Sequence, residues 1–271
     1  MTGIVDFHVH SAPSIAPRHT TDPDTKSALA WLGVERFVLK AHEGSTAERA
    51  SLLGESALGG IVLNSPVGGA NPDAVEVMAR LGGAVAWLPT TSSVAHQTAV
   101  GDAAGGEVHS RFGFGPVPVV CGGQLMPGWP DVLDVAAQYD LILASGHVPM
   151  DEVILVFEAA SRRGVRRFLV NHPLLSYLGW GPDAAAALRE LEARVEIGIL
   201  ADQIAGSVQD GTGRLAAEYP PELLVFGSDL GFTGYPTLKA GYEAWTADAR
   251  KVLGDSALDR AMRAGGHELL P

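Results

Sequence analysis

The chain begins with Gly3-Ile4-Val5-Asp6-Phe7-His8-Val9-His10, an apolar run that closes on two histidines two positions apart. On a β-strand that spacing sends both imidazoles to one face, with Cα atoms roughly 6–7 Å apart. Two neutral imidazoles so placed can close on one metal ion. Asp6 alternates onto the same face one layer deeper, where its carboxylate can accept a hydrogen bond from a ligating histidine. Alone, His-x-His is weak, because two strand histidines are ordinarily solvated or packed. The ends of later apolar runs strengthen it. Lys40 and His42 follow the second run, Thr90 the fourth, His147 the fifth, His172 the sixth, and Asp229 the last. Five of the nine histidines fall at such ends, whereas His19, His96, His109 and His267 scatter over loops and helices. Arg18, in the Pro-rich segment after the first run, can clamp a substrate carboxylate or phosphate; a solvated surface arginine is the plainer reading.

The elements that must position these groups are legible. Strands are expected near 3–9, 34–40, 59–64, 83–89, 140–146, 166–171, 194–200 and 222–228. Most read apolar throughout, as parallel strands buried on both faces do. Helices are expected between them, near 22–32, 45–57, 72–81, 131–138, 150–163, 183–193, 202–218 and 236–253. Thr21 or Asp22 can cap the first and Asn71 the third, each with a proline at an early helical position. Gly33, Gly82 and Gly164 follow helices as stops. This order predicts a single α/β domain over 1–271, a closed (β/α)₈ TIM barrel. An open doubly wound sheet would call for a Gly-x-Gly-x-x-Gly turn after the first strand, and none is there. One long insertion after strand four, 91–130, interrupts the rhythm and can act as a lid, with an extra edge strand in Val117-Pro118-Val119-Val120. Trp129 and Trp180 can wall the pocket, and Cys121 reads as a small buried residue.

Composition narrows the partners. A net charge of −12 argues against nucleic acid or an anionic membrane surface. One cysteine forms neither an intramolecular disulfide nor a thiolate cluster, which fits a reducing cytoplasm. The first residues lack the marks of a signal peptide, and no apolar run approaches the ~20 residues of a membrane span. A small-molecule substrate is expected, with a symmetric homo-oligomer as the ordinary assembly.

At barrel-strand ends, these side chains converge on one face. The set, running from Asp6-x-His8-x-His10 to Ser228-Asp229, resembles the amidohydrolase superfamily of metal-dependent barrels. Val38-Leu39-Lys40-Ala41-His42, 64–72 and Trp87-Leu88-Pro89-Thr90 look like a small bacterial branch of it. The resemblance implies a metal held by His8, His10 and Asp229, with His147 and His172 completing a one- or two-metal site. Strand four departs from the pattern. It ends in Pro89-Thr90-Thr91, where the superfamily often carries a bridging carboxylated lysine or glutamate. Lys40, if carbamylated, or His42 can supply the missing ligand, since an unmodified ammonium only donates. Alternatively one ion sits on His8, His10, His147 and Asp229, leaving His172 as acid/base.

The chemistry implied is hydrolysis of an amide, cyclic amide or ester by activated water. Asp229 accepts and returns the proton, and His172 or His42 steadies the oxyanion. Arg18, His42 and Thr90 face the substrate. Zinc (Zn2+) suits a His-rich set, with Mn2+ or Fe2+ as alternatives. Nonoxidative decarboxylation, phosphoester cleavage, and a non-catalytic metal- or ligand-binding barrel are the competing readings. CO₂ release separates the first from hydrolysis. A richer later set of His, Glu and Asp ligands would mark the second. Metal-dependent stability without turnover would mark the third.

Overall fold

The structure, a computed structural model, describes residues 2–102 and 112–271. Eight parallel strand positions alternate with helices. They are β1 (Ile4–Val9), β2 (Val34–Leu39), β3 (in two halves, Ala57–Leu58 and Gly60–Val62), β4 (Val85–Trp87), β5 (Ile142–Ala144), β6 (Arg167–Val170), β7 (Arg194–Ile197) and β8 (Leu224–Phe226). The first half of β3 pairs with β2 and the second half with β4. Pairing then runs β4-β5-β6-β7-β8. The ring closes just beyond β8. Val9 bridges Leu230 in parallel, Asp229 N donates to His8 O at 2.7 Å, and His10 N donates to Leu230 O at 2.9 Å. The fold is the expected (β/α)₈ barrel.

Most helices fall where the sequence puts them. Helix α1 (Asp22–Trp31) is capped by Thr21, and α3 (Pro72–Arg80) by Asn71, whose side chain accepts from Ala74 N at 3.2 Å; α2 (Ala47–Leu53) lies between. Two apolar layers result. Val5, Phe7, Val38, Val62, Val85, Trp87, Ile142, Ala144, Leu169 and Val225 form one cluster drawn from seven strands, which is the barrel's interior. Neighbouring residues such as Ile61, Leu143, Val170 and Ile197 pack outward against the helices. Trp87 is fully buried and takes much of the lumen, and this works because Gly60 opposite has no side chain.

Five expectations need correction. The insertion is not all loop: it holds helix α4 (Val94–Asp102) and a hairpin, Val120–Cys121 with Gln124–Leu125. Pro118 cannot donate to a ladder, so the extra strand starts only at Val120. His109 lies outside the described residues. The helix expected over 202–218 is broken, because Gly206 ends Ile199–Ala205 in a left-handed conformation (φ 102°). Cys121 is exposed, and Trp129 is a core residue whose Nε1 donates to Pro118 O.

A methyl group on Gly60 would stand 2.4 Å from Trp87 and from Val85 O. Gly60→Ala is therefore expected to cost about 3 kcal/mol through overpacking, read as a lowered midpoint in urea unfolding.

Candidate metal centre

β1 carries an irregularity between Asp6 and Val9. It turns His8 inward beside Phe7 and leaves Asp6 on the outside. Asp6 therefore does not bond a histidine ring, as the strand alternation suggests. It accepts from His8 N (3.0 Å), Ser228 N (2.9 Å) and Tyr242 Oη (2.5 Å). Burial still pushes Asp6 up to about 6. The partner of His8 is Glu196 on β7, whose Oε1 lies 2.9 Å from His8 Nδ1. Glu196 is buried, and its Oε2 accepts from Asn171 Nδ2 at 2.7 Å. A Cβ on Gly227 would fall 2.6 Å from the Glu196 carboxyl carbon, so that glycine leaves the space the side chain fills. Glu196 is absent from the sequence-based site. Its signal is a charged residue inside the apolar run Arg194-Val195-Glu196-Ile197, a place where a carboxylate stays only with partners.

Around this pair five imidazoles form a closed ring. Centroid separations are 5.1 Å for His8–His10, 5.2 Å for His10–His42, 6.2 Å for His42–His147, 5.4 Å for His147–His172 and 5.1 Å for His172–His8. The strand ends bring every expected histidine to one place. Asp229 joins them. Its Oδ1 is 3.0 Å from both His8 Nε2 and His10 Nε2, and its Oδ2 is 3.4 Å from His172 Nε2. His172 (φ 48°) and Asp229 (φ 52°) both hold left-handed backbone, the strained turn that brings each side chain into the ring.

The proton inventory of this cluster decides what it can hold. His10 Nδ1 is 2.8 Å from Lys40 O, and a carbonyl only accepts, so His10 carries its proton on Nδ1. Burial holds His10 well below the usual imidazole range, so the ring is neutral. Its Nε2 lone pair therefore points at a carboxylate oxygen 3.0 Å away. His8 repeats the arrangement, with Nδ1 on Glu196 and Nε2 on Asp229 Oδ1. Burial pushes Asp229 up to about 8, against the opposing charge of Lys40. A single carboxyl proton satisfies only one of two lone pairs, and the Lys40 ammonium, 3.0 Å from His8 Nε2, is the donor at hand for the other. A cation satisfies both, and neutral imidazoles with one carboxylate are a zinc-type donor set. Donor atoms of His8, His172 and Asp229 lie within 4.8 Å of one another. The residues fit a divalent ion.

Lys40 is fully buried. Its Nζ sits 3.0 Å from His8 Nε2 and 5.4 Å from the Trp87 ring centroid, and burial pulls it down to about 8. His10 and His147 both stand outside the close group of three; His10 reaches it through Asp229 Oδ1 at 3.0 Å, whereas His147 Nδ1 lies 3.2 Å from His96 Nδ1. His96 is buried on α4, not exposed, and lies 2.9 Å from Tyr177 Oη. Burial holds it near 4. Thr90, the strand-four residue, is tied in through His42 Nδ1 at 2.8 Å. Asn64 orients this pair. Its Oδ1 accepts from Thr90 N and Ser92 N, and its Nδ2 donates to His42 O and Thr90 Oγ1. Trp180 does not reach the ring; its Nε1 donates to Glu218. Phe112, Phe232 and Ala16 form a separate apolar group over the ring, with Phe232 4.7 Å from His10 and Phe112 5.0 Å from His42.

Comparison with solved structures agrees with the barrel fold. A TatD homologue from Escherichia coli superposes with TM-score 0.60 at 13% identity, covering 98% of this chain and 97% of that one. An amidohydrolase from Pseudomonas aeruginosa gives 0.61 at 10% identity, covering 99% and 95%. An organophosphorus hydrolase variant from Deinococcus radiodurans gives 0.57 at 12%, covering 100% and 93%. No curated protein sequence matches. Residues 3–196 match the model of a family of unknown function, DUF6282, and the chain belongs to that family. Among the described residues no helix is long and apolar enough to cross a membrane.

Glu196 fixes the ring of His8, so Glu196→Gln is expected to weaken retention of a divalent ion about 10–100-fold. Titration with a chromogenic chelator, with circular dichroism to confirm folding, measures this.

Proposed function

We propose that the chain is a metal-dependent hydrolase acting on a small molecule at the mouth of the barrel. The observation that carries this reading is the meeting of two neutral imidazole lone pairs on one oxygen of Asp229. Lys40 already offers a proton to His8 Nε2, and the support for a metal lies in the convergence of these nitrogens and the carboxylate within reach of one ion. His8, His10 and Asp229 would hold it, with His172 as the further donor facing Asp229 Oδ2. Zinc fits the nitrogen-rich set best, with manganese or iron as alternatives. When bound, such an ion supplies Lewis acidity, drawing the pKa of water toward neutrality and polarising a carbonyl or phosphoryl oxygen.

The chain's own residues divide the remaining work. Asp229 is the proton carrier, taking a proton from the attacking water and returning it to the leaving group. Glu196 holds His8 in one tautomer through Nδ1. His42 is held by Thr90. The Asn64 amide donates to the Thr90 hydroxyl oxygen, and in the tautomer where that hydroxyl donates to His42 Nδ1 the ring's own proton is on Nε2. His42 can then donate to charge developing on the substrate oxygen. Lys40, unmodified, lends positive charge beside His8 and does not ligate; carbamylation would turn it into a ligand. Phe112 and Phe232 exclude water above the ring, which strengthens each of these interactions. Similarity to an amidohydrolase and an organophosphorus hydrolase supports the class of bond, an amide, cyclic amide or ester, with a phosphoester next.

Purified without chelator, the protein is expected to carry a stoichiometric divalent ion by elemental analysis, and His8→Ala to lose it. Asp229→Asn is expected to lower kcat/KM at least about 10³-fold on whichever ester, lactone or amide the wild type turns over. Metal retained unchanged in both variants contradicts the ligand assignment, and CO₂ released in place of a proton makes the enzyme a decarboxylase.

A further inference from the structure

Arg18 lies in the segment after β1, and its backbone is strapped to the loop after β8. Arg18 bridges Phe232 in antiparallel fashion, and His19 N donates to Gly231 O at 2.9 Å. The guanidinium is thus brought in on a fixed backbone. Its Cζ stands 3.7 Å from the Phe232 ring centroid, and the same ring lies 4.7 Å from His10. Phe232 thus touches both the guanidinium and the ring of histidines described above.

All three guanidinium nitrogens are buried, and none has a hydrogen-bond partner among the described residues. Glu43 is near enough to attract Arg18 electrostatically, as is Asp229, yet neither forms an ion pair with it. Glu43 instead accepts from Ile15 N through Oε1. Arg49, the like charge nearby, is engaged by Asp22 at 2.6 Å. Among the described residues these N–H donors are withdrawn from water with no hydrogen-bond acceptor, which is costly for a folded chain to keep unless something fills them. A guanidinium edge matches a planar or tetrahedral oxyanion through two parallel hydrogen bonds. Stacking on Phe232 fixes the plane of that edge.

We infer that Arg18 anchors an oxyanion, a carboxylate or a phosphonate-type group, carried by the substrate. The ligand class is then a small anionic molecule whose charged end sits on Arg18. Its apolar portion lies against Phe112 and Phe232, and its reactive group reaches the histidines. This deepens the hydrolase reading and rests on it for the word substrate, but the anchor is testable without turnover.

The test uses full-length, zinc-loaded protein with benzoate and phenylphosphonate as probes and benzamide as the neutral control. Arg18→Met keeps an unbranched stem over Phe232 and removes the charge. Benzoate or phenylphosphonate is expected to raise the melting temperature of the wild type and to bind it at least tenfold more tightly than Arg18→Met by calorimetry. Benzamide should bind both alike. Whichever anion shows the larger Arg18 dependence identifies the oxyanion. Arg18→Lys is expected to fall between the two. Without anion, Arg18→Met should melt no lower than wild type, because an uncompensated buried charge has been removed. Equal anion affinity in wild type and Arg18→Met overturns the inference, because the metal alone would then be the anion site. A marked loss of stability in Arg18→Met, with no anion response in the wild type, overturns it too and makes Arg18 a loop staple for Glu43. Failure of every hydrolytic assay alongside Arg18-dependent anion binding would sink the hydrolase reading and leave the anchor standing.

Discussion

Two imidazole lone pairs aimed at the same carboxylate oxygen are mutually repulsive in a buried site, and much of the molecule serves to keep them there. His10 is denied an alternative tautomer by the Lys40 carbonyl, and His8 is held by the Glu196 carboxylate. Asp229 is fixed from the backbone side, since its own N–H donates to His8 O. A self-contained protein would relax such a contact by turning one ring or withdrawing the acid. Here each escape is blocked by another buried partner, so the arrangement makes sense as a socket for positive charge.

The barrel achieves this by departing from regularity at a few points. The irregularity in β1 lets Phe7 and His8 both face the lumen, one as packing and one as donor. Left-handed backbone at His172 and Asp229 aims side chains that a continued strand would send elsewhere. Gly227 gives Glu196 its room. Below the site, Trp87 and its neighbours fill the interior and exclude water, which raises the stakes of every charge above them.

Regular features were legible in the sequence, and exceptions were not. All eight strands show as short apolar runs because burial on both faces leaves little room for polar residues. The histidines stand out because their positions at strand ends repeat. Asp6 was assigned to the wrong face because strict alternation assumes an unbroken ladder, and a local shift carries no mark in residue type. Glu196 passed unnoticed inside an otherwise apolar run, although its charge was itself the clue. His96 carries no sign of its place because its neighbours lack helical periodicity, and its burial comes from contact with His147 and Tyr177. Arg18 likewise reads as a surface residue until the loop after β8 is seen to cover it.

One buried acid joins distant parts of the chain. Asp6 takes hydrogen bonds from the backbone of His8 and Ser228 and from the hydroxyl of Tyr242, on the helix Leu238–Asp259. The first strand, the last strand and that helix are therefore fastened at a single oxygen pair. During synthesis the opening His-x-His exists long before its carboxylate partner or its outer brace. The full set of donors is therefore assembled only when the last strand and that helix are in place.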